Sequence, residues 1–427
     1  MELITYYDDL KKSDFVRRAA ETYLVRMLVI GMGVVISVVV ARVLGPEGRG
    51  LYAVAVSLGA IGVQFGSFGL HSSNIYYVSR DKKILAGLSA NSLVVSFLVG
   101  GFGSLLAWFT FQTWPALAPI NGTLLALSLL WIPFGLAYFL LQNLLIGLQD
   151  MRGFNKIELI GKALNLLLIA LVFFGGFISV ESFFSAGIVV IFFGMIFVLW
   201  VLSKGFKGPF RHSWKLFKGG FHYGFKAYLA AFFSFMVLRI DILMVKQMLG
   251  SEQTGFYSVA VNMADLVIVL PTIIGTLLFP KLAAMTDEKR KWEQVKRALR
   301  GVGFFMLLAT LALVFVTHPL IKILFGKAFL PAVPAFLWLL PGVFMIALNT
   351  LLMNYFASTG MPWVTVYSPA FAALLNIGAN LILIPRYGIV GASLSSVLAY
   401  GSMLAFSAVY ILIVHRRDAK SQRKAVY

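Results

Sequence analysis

The sequence contains no cysteine, which excludes disulfide bonds, thiolate metal sites and a cysteine nucleophile. Charge is scarce too, because only 12% of the 427 residues are charged while 60% are hydrophobic. Soluble domains carry about 25% charged residues. A soluble protein of this length would need a polar shell that this composition cannot supply, so we expect the chain to reside in a membrane.

Motifs of enzymatic chemistry are also missing. The sequence has no GxxxxGK[ST] motif, so we expect no direct use of ATP. Its five histidines form no HExxH pattern and no pair at ligand spacing, which argues against a metalloenzyme. Enzymes that polymerise lipid-linked sugars usually carry a large external loop, and the longest outer connection expected here, 318–333, is short. A membrane enzyme of lipid-linked sugar assembly is therefore an alternative that the sequence does not favour.

Long apolar runs dominate instead, and many of them supply the about 20 residues that a membrane-spanning helix needs. Runs bounded by charged residues, Gly and Pro predict twelve helices. They are placed at 22–42, 50–73, 84–112, 120–147, 156–178, 181–203, 217–244, 256–280, 298–318, 333–357, 363–384 and 389–414. The polar N-terminal stretch lacks the features of a cleavable signal, so we expect the first helix to be permanent.

Basic residues outnumber acidic ones, 36 to 17, for a net charge of +19. Most lie in the two tails and in connections such as 80–83, 204–218 and 281–300, which predicts that these segments face the cytoplasm. We therefore expect a multi-pass protein of the inner (cytoplasmic) membrane with both termini cytoplasmic. Glu47 and Arg49 are interpreted as solvated charges of an outer loop. Because the basic residues are spread over many loops, we expect contact with membrane lipids and none with nucleic acid.

A short string near the N-terminus recurs in the second half of the chain. VLGPEGRGLYAVAV at 43–56 is echoed by MLGSEQTGFYSVAV at 248–261, 205 residues later. Each string joins two predicted spans, so the chain is interpreted as two lobes of six helices, 1–205 and 206–427, in parallel orientation. The predicted fold is an all-α polytopic membrane protein with about 12 transmembrane helices in two lobes around a central cavity.

Three stretches carry a resemblance to a known family. They are ARVLGPEGRGLYAVAVSLGAI after the first span, RIDILMVKQMLGSEQTGFYSVA early in the second lobe and IPRYGIVGASLSS before the last span. The chain resembles, over essentially its whole length, the polysaccharide-transporter branch of the multidrug/oligosaccharidyl-lipid/polysaccharide exporters. The resemblance implies twelve helices in two lobes around a V-shaped cavity. It also implies either a flippase for lipid-linked oligosaccharides or, as in the multidrug branch, an exporter of small cations.

Charged residues inside spans are costly and therefore mark candidate functional sites. Arg26, Glu158 and Lys162 lie within a turn or two of predicted cytoplasmic helix ends, where long side chains reach water. Glu158 and Lys162 are spaced i and i+4, so they can pair on one helix face. The functional alternative is an inner-leaflet patch in which Arg26 and Lys162 bind a phosphate headgroup, with Glu158 as a candidate for ion coupling.

A second group of charges, Lys226, Arg239, Asp241 and Asp265, lies in predicted helices 7 and 8. Arg239 can reach Asp265 on the neighbouring helix, whereas Asp241 lies on the same side of its own helix as Lys226. One interpretation is that these residues form ion pairs that stabilise the lobe. The other is that Lys226 and Arg239 bind the pyrophosphate of a substrate, while Asp241 or Asp265 binds Na⁺ or H⁺ to couple transport.

The resemblance to this family, with which the basic residues inside the spans are consistent, implies a flippase for surface polysaccharide biosynthesis. It would move a polyprenyl-pyrophosphate-linked oligosaccharide to the outer leaflet by alternating access. A cation-coupled multidrug exporter of the same superfamily is the first alternative. Besides possible Na⁺ or H⁺ coupling we expect no cofactor and no metal, and we expect lipid-linked oligosaccharide, membrane lipids and polysaccharide assembly proteins as partners.

Overall fold

The computed structural model describes the backbone of residues 2–424 and the side chains of residues 24–413. Between residues 2 and 424 the regular secondary structure is entirely helical. The α-helices of this part are α1 (Glu2–Gly66), α2 (Leu70–Arg80), α3 (Leu85–Val95), α4 (Gly101–Thr113), α5 (Gly122–Gly147), α6 (Met151–Phe174), α7 (Val180–Ser203), α8 (Trp214–Leu249), α9 (Ser251–Ala283), α10 (Glu288–Leu324), α11 (Ala332–Ser358), α12 (Val364–Tyr387) and α13 (Ile389–Lys424).

Helix α1 is interrupted at Gly45, whose φ of 68° and ψ of −176° are not helical. Glycine adopts a positive φ without the strain that a Cβ would cause. Pro46 follows, and its fixed φ and missing N–H suit the first turn of a helix. A turn between the first two spans is therefore confirmed, but the predicted open loop between 42 and 50 is wrong, because the chain resumes helical conformation immediately after Gly45.

Eleven helical segments of the described residues are long and apolar enough to cross a membrane. The first, Leu24–Gly66, has 43 residues, about 65 Å at 1.5 Å per residue, which is twice the about 30 Å thickness of the hydrocarbon core. Because Gly45 interrupts it near its middle, it supplies two spans. The structure thus agrees with the predicted all-α polytopic membrane fold of about 12 transmembrane helices.

The chain divides into two compact units. The first comprises Met1–Leu44 and Leu58–Tyr228, and the second comprises Gly45–Ser57 and Leu229–Tyr427. In the first unit α5 packs against α2 and α7, and in the second α11 packs against α9, α10 and α13. Helix α8 therefore contributes its first part to one unit and its second part to the other. The lobe boundary after residue 205 stays a prediction.

The two copies of the repeated string contact each other within the second unit. A methyl group added to Gly50 would collide with the carbonyl oxygen of Ser251, and one added to Gly255 would collide with that of Pro46. Gly50 and Gly255 are equivalent in the repeat, as are Pro46 and Ser251. The contact is therefore reciprocal, like that at a twofold axis, and it requires glycine on both sides.

This contact predicts the effect of Gly255→Ala. The added methyl group must push two backbones apart, so we expect the free energy of unfolding to fall by about 1–3 kcal/mol. Gly31→Ala is the matched control, because nothing lies within 4 Å of a methyl group there and alanine favours the helix. Thermal unfolding of the purified protein in detergent measures both variants, and equal melting temperatures would contradict the close contact.

Candidate functional site

Asp241 of α8 is a buried acid that joins three helices, and it is only 3% exposed. The Tyr257 hydroxyl of α9 donates to its Oδ2 at 2.7 Å, and the Ser396 hydroxyl of α13 donates to the same oxygen at 2.5 Å. The other oxygen, Oδ1, has no hydrogen-bond partner among the described residues. Oδ2 therefore accepts two hydrogen bonds, whereas Oδ1 is buried and accepts none from the described residues.

The surroundings of Asp241 restrict what can bind to its Oδ1. Within residues 24–413, no basic side chain forms a salt bridge with Asp241. The same residues contain no group of three or more His, Cys, Asp or Glu that could hold a metal ion. A buried carboxylate without a positive partner is costly, and a proton or a monovalent cation at Oδ1 would remove that cost.

Small residues bring α13 close enough to reach Asp241. The stretch GASLSS ends at Ser396, and its Ser393 donates a hydrogen bond to the Ala335 carbonyl oxygen of α11 at 2.7 Å. A methyl group on Gly342 of α11 would lie 2.9 Å from the ring of Tyr400. Small side chains let membrane helices approach closely, so this stretch fixes the position of the Ser396 hydroxyl.

Arg239 and Asp265 form the predicted ion pair between neighbouring helices. Nη2 of Arg239 lies 2.8 Å from Oδ2 of Asp265, and the side chains are 26% and 35% exposed. The expected reach of Arg239 from α8 to α9 is confirmed. Asp241, two residues further along α8, binds different partners, as the angular spacing of a helix predicts. A role of the pair in binding pyrophosphate or a coupling ion stays a prediction.

The charges near the predicted cytoplasmic ends of α1 and α6 pair differently from the expected pattern. Glu158 accepts a hydrogen bond from Nη1 of Arg26 at 3.0 Å. Glu158 therefore pairs with Arg26 of α1 and not with Lys162 of its own helix. The reason is that Arg26 belongs to another helix, and spacing along one helix cannot reveal it. Lys162 is exposed, and it interacts electrostatically with Glu158 and Arg26. The three residues thus form one patch, and its role stays a prediction.

Lys226 and Asp241 lie on one helix but not in one site. They are separated by about 22 Å along α8, at 1.5 Å per residue. Lys226 belongs to the first compact unit and Asp241 to the second. Asp241 is held by hydroxyl groups of the second unit, so the predicted common side of α8 does not make Lys226 its partner.

Arg49 was expected to be a solvated loop charge, and this expectation is wrong. It is 5% exposed, and its guanidinium carbon lies 5.7 Å from the centre of the Tyr52 ring. The physical reason is the continuation of helix after Gly45, which places Arg49 on a packed helix instead of in a loop.

The sequence analysis did not single out the hydroxyl groups of Tyr257 and Ser396 in the second unit, although the sequence held signals for them. Tyr257 belongs to the repeated string, and Ser396 belongs to the stretch IPRYGIVGASLSS. Both are fully or almost fully buried, and so are Asn376 and Asn380, whose side chains share a hydrogen bond of 3.0 Å on α12. Hydroxyl and amide groups inside predicted spans are a signal of this kind, because hydrocarbon offers them no partners.

A helical membrane protein of about twelve spans, with a repeated architecture and ionisable groups inside its spans, is a membrane transporter in architecture. Comparison with known families makes the class specific. The profile of the polysaccharide biosynthesis protein family matches residues 39–334, and the chain belongs to this family.

Individual relatives agree with this assignment. The putative O-antigen transporter of Shigella flexneri is 22% identical over 375 residues, which cover 83% of this chain and 87% of the relative. The lipid II flippase MurJ, in an inward closed conformation, has a similar fold, with a TM-score of 0.76 at 15% identity over 92% of this chain and 87% of that chain. An inward-facing multidrug resistance MATE family transporter of the MOP superfamily gives 0.74 at 15% identity over 92% and 95%. The chain is thus a member of the polysaccharide biosynthesis protein family and has the same fold as these two membrane transporters.

The ion pair of Arg239 and Asp265 predicts that a second substitution restores part of the thermal stability that the first one removes. Arg239→Gln or Asp265→Asn alone leaves a charge without its partner, so each should lower the melting temperature. The double variant removes both charges and should melt above either single variant. Thermal unfolding in detergent measures this, and losses that simply add would mean that the two side chains do not interact.

Proposed function

We propose that the protein is a flippase that moves a polyprenyl-pyrophosphate-linked oligosaccharide across the cytoplasmic membrane by alternating access. Its family, and its similarity to a putative O-antigen transporter, support a substrate of polysaccharide biosynthesis. A lipid-linked sugar of this kind carries negative charge on its pyrophosphate. Basic side chains inside or at the ends of spans suit that charge, and Arg26, Lys162, Lys226 and Arg239 are the candidates to bind it.

The observation that carries the coupling proposal is Oδ1 of Asp241, a buried oxygen without a hydrogen-bond partner among the described residues. A proton or Na⁺ at Oδ1 would neutralise the carboxylate, with Tyr257 and Ser396 as its hydroxyl neighbours. An ion shifts a conformational equilibrium only when it binds one conformation more tightly than the other. Because the two hydroxyl groups come from α9 and α13, the affinity of this site would depend on how these helices pack against α8. Asp265 and Glu158 already have arginine partners, so they are weaker candidates for this role.

A multidrug exporter is the second candidate. It is favoured by the fold similarity to the MATE family transporter, whose TM-score nearly equals that of the lipid flippase. The two candidates differ in the substrate charge that they need, because an exporter of cations calls for unpaired acids where the substrate binds. In this chain two of the three intramembrane acids proposed for coupling are paired with arginine, which favours the anionic substrate.

The coupling proposal predicts that Asp241→Asn abolishes the response to an ion gradient. Purified protein in vesicles would be given a fluorescent short-chain polyprenyl diphosphate that carries an oligosaccharide, and its movement between leaflets would be followed under Na⁺ or pH gradients. We expect one gradient to accelerate movement by the natural chain and neither to accelerate movement by the variant. Glu293→Gln, at an exposed acid of α10, is the matched control and should respond like the natural chain.

Two outcomes would contradict these proposals. An unchanged gradient response in Asp241→Asn would remove this residue from coupling. Accumulation of a cationic dye such as ethidium by the same vesicles, without movement of the sugar lipid, would favour the multidrug exporter.

We also propose that both termini and the connection between α9 and α10 are cytoplasmic, as the distribution of Lys and Arg favours. The absence of cysteine makes a direct test possible, since a single introduced cysteine is the only thiol. In intact cells a membrane-impermeant maleimide should label Asn121→Cys, in an exposed connection before α5, and should not label Thr286→Cys before α10. The reverse labelling pattern would invert the topology.

A further inference from the structure

Helix α8 is much longer than a membrane requires. Its 36 residues, Trp214–Leu249, extend about 54 Å, whereas the hydrocarbon core is about 30 Å thick. Counted from its end at Leu249, about 20 residues fill the core, so the stretch before about residue 229 extends into the headgroup layer and beyond. In the proposed topology this is the cytoplasmic side. The division between the compact units, after Tyr228, falls at the same place.

One side of this extension carries aromatic rings. Trp214, Phe217, Phe221, Phe225 and Tyr228 lie within about 80° of one another at 100° per residue. Their ring centres follow each other at 5.1, 6.5, 5.3 and 6.2 Å, so they form a continuous series that we call the aromatic stripe. It runs from an exposed end, where Trp214 is 66% exposed, to a buried end at Tyr228.

Basic residues occupy the adjacent side. Lys215, Lys218, His222 and Lys226 also lie within about 80° of one another, and we call them the basic stripe. The first three are exposed. No acidic residue occurs in the sequence between Glu181 and Asp241, so this stretch of the chain is strongly basic.

Helix α2 packs against this part of α8. Gly69 at the start of α2 and Gly224 of α8 touch backbone to backbone, because a methyl group on either would collide with the carbonyl oxygen of the other. Tyr76 of α2 stacks on Tyr223 at 4.0 Å between ring centres, with Arg80 4.3 Å from the centre of the Tyr76 ring. Gly220 and Gly224, which face α2, point about 175° away from the basic stripe. The backbone contact with α2 is thus on the other side of α8 from the centre of the basic stripe, and Lys215, Lys218 and His222 remain exposed.

We propose that the two stripes of α8, residues 214–228, form the site where the headgroup of the anionic sugar lipid first binds in the inner leaflet. The basic stripe binds the pyrophosphate, and the exposed rings of the aromatic stripe stack on the sugar. Three features support this: the depth of the extension, the concentration of basic residues with exposed Lys215 and Lys218, and aromatic faces that match the apolar faces of sugar rings. The proposal rests on the flippase function proposed above and assigns the first contact of its substrate.

Two variants separate the contributions of the stripes. Lys215→Gln/Lys218→Gln removes charge and keeps chain length, whereas Phe221→Leu/Phe225→Leu removes aromatic faces and keeps apolar volume. The probes are a short-chain polyprenyl diphosphate with one N-acetylhexosamine and the same diphosphate without sugar. Binding would be measured by calorimetry to the full chain in phosphatidylcholine nanodiscs.

The charge variant should bind both probes about thirtyfold more weakly, because each of the two surface lysines contributes about 1 kcal/mol toward an anionic headgroup. The aromatic variant should lose only the extra affinity that the sugar provides. Lys289→Gln/Arg300→Gln, at exposed positions of α10, is the matched charge control and should bind like the natural chain. Lys215→Arg/Lys218→Arg should also bind normally, which separates charge loss from misfolding.

Several outcomes would overturn the proposal. These are unchanged binding in the charge variant, an equal loss in the α10 control, or loss of binding in the arginine variant. A further arm adds phosphatidylglycerol to the nanodiscs: if it abolishes the difference between the natural chain and the charge variant, the stripe holds ordinary anionic lipid instead of substrate. The proposed function fails separately, if the natural chain binds the probes through the stripes yet does not move them between leaflets.

Discussion

The carboxylate of Asp241 imposes the strictest constraint on the structure. Hydrocarbon supplies no hydrogen bonds, so a buried charge has to find its partners inside the protein. Here the partners are hydroxyl groups from α9 and α13, and their convergence requires α8, α9 and α13 to meet at one point. The small residues of α13 follow from the same requirement. The fold thus positions a buried carboxylate with two hydroxyl neighbours at one oxygen and no described hydrogen-bond partner at the other.

The internal repeat explains how such a site can arise beside only one of the two copies of the repeated string. Gly45 and Gly250 share nearly the same backbone conformation, with φ of 68° and 88° and ψ of −176° and −179°. The tyrosines of the two strings have diverged in their partners. Tyr52 lies beside Arg49, whereas Tyr257 donates to Asp241. The backbone of the turn is thus common to both copies, while the charge next to the tyrosine is specific to each.

The sequence predicts best what depends on composition alone. Apolar runs located the spans because each run has to match the thickness of the bilayer. The pair of Arg239 and Asp265 was also predictable, since two opposite charges at similar depth on neighbouring helices have few other partners. The pair of Arg26 and Glu158 was not predictable, because it depends on the packing of α1 against α6. Arg49 was misjudged for a related reason: one glycine decides whether the residues after it form a loop or a helix.

Helix α8 carries the residues of both proposals, the ion coupling at Asp241 and the headgroup contacts of residues 214–228. Its first part carries the basic and aromatic stripes, and its second part carries Asp241 and Arg239, with no proline between them. Proline would interrupt the hydrogen bonds that keep a helix continuous. The residues proposed for the headgroup and those proposed for the cation therefore lie on one helix, although they belong to different compact units. An ion at Asp241 needs a differential effect on two conformations to drive transport.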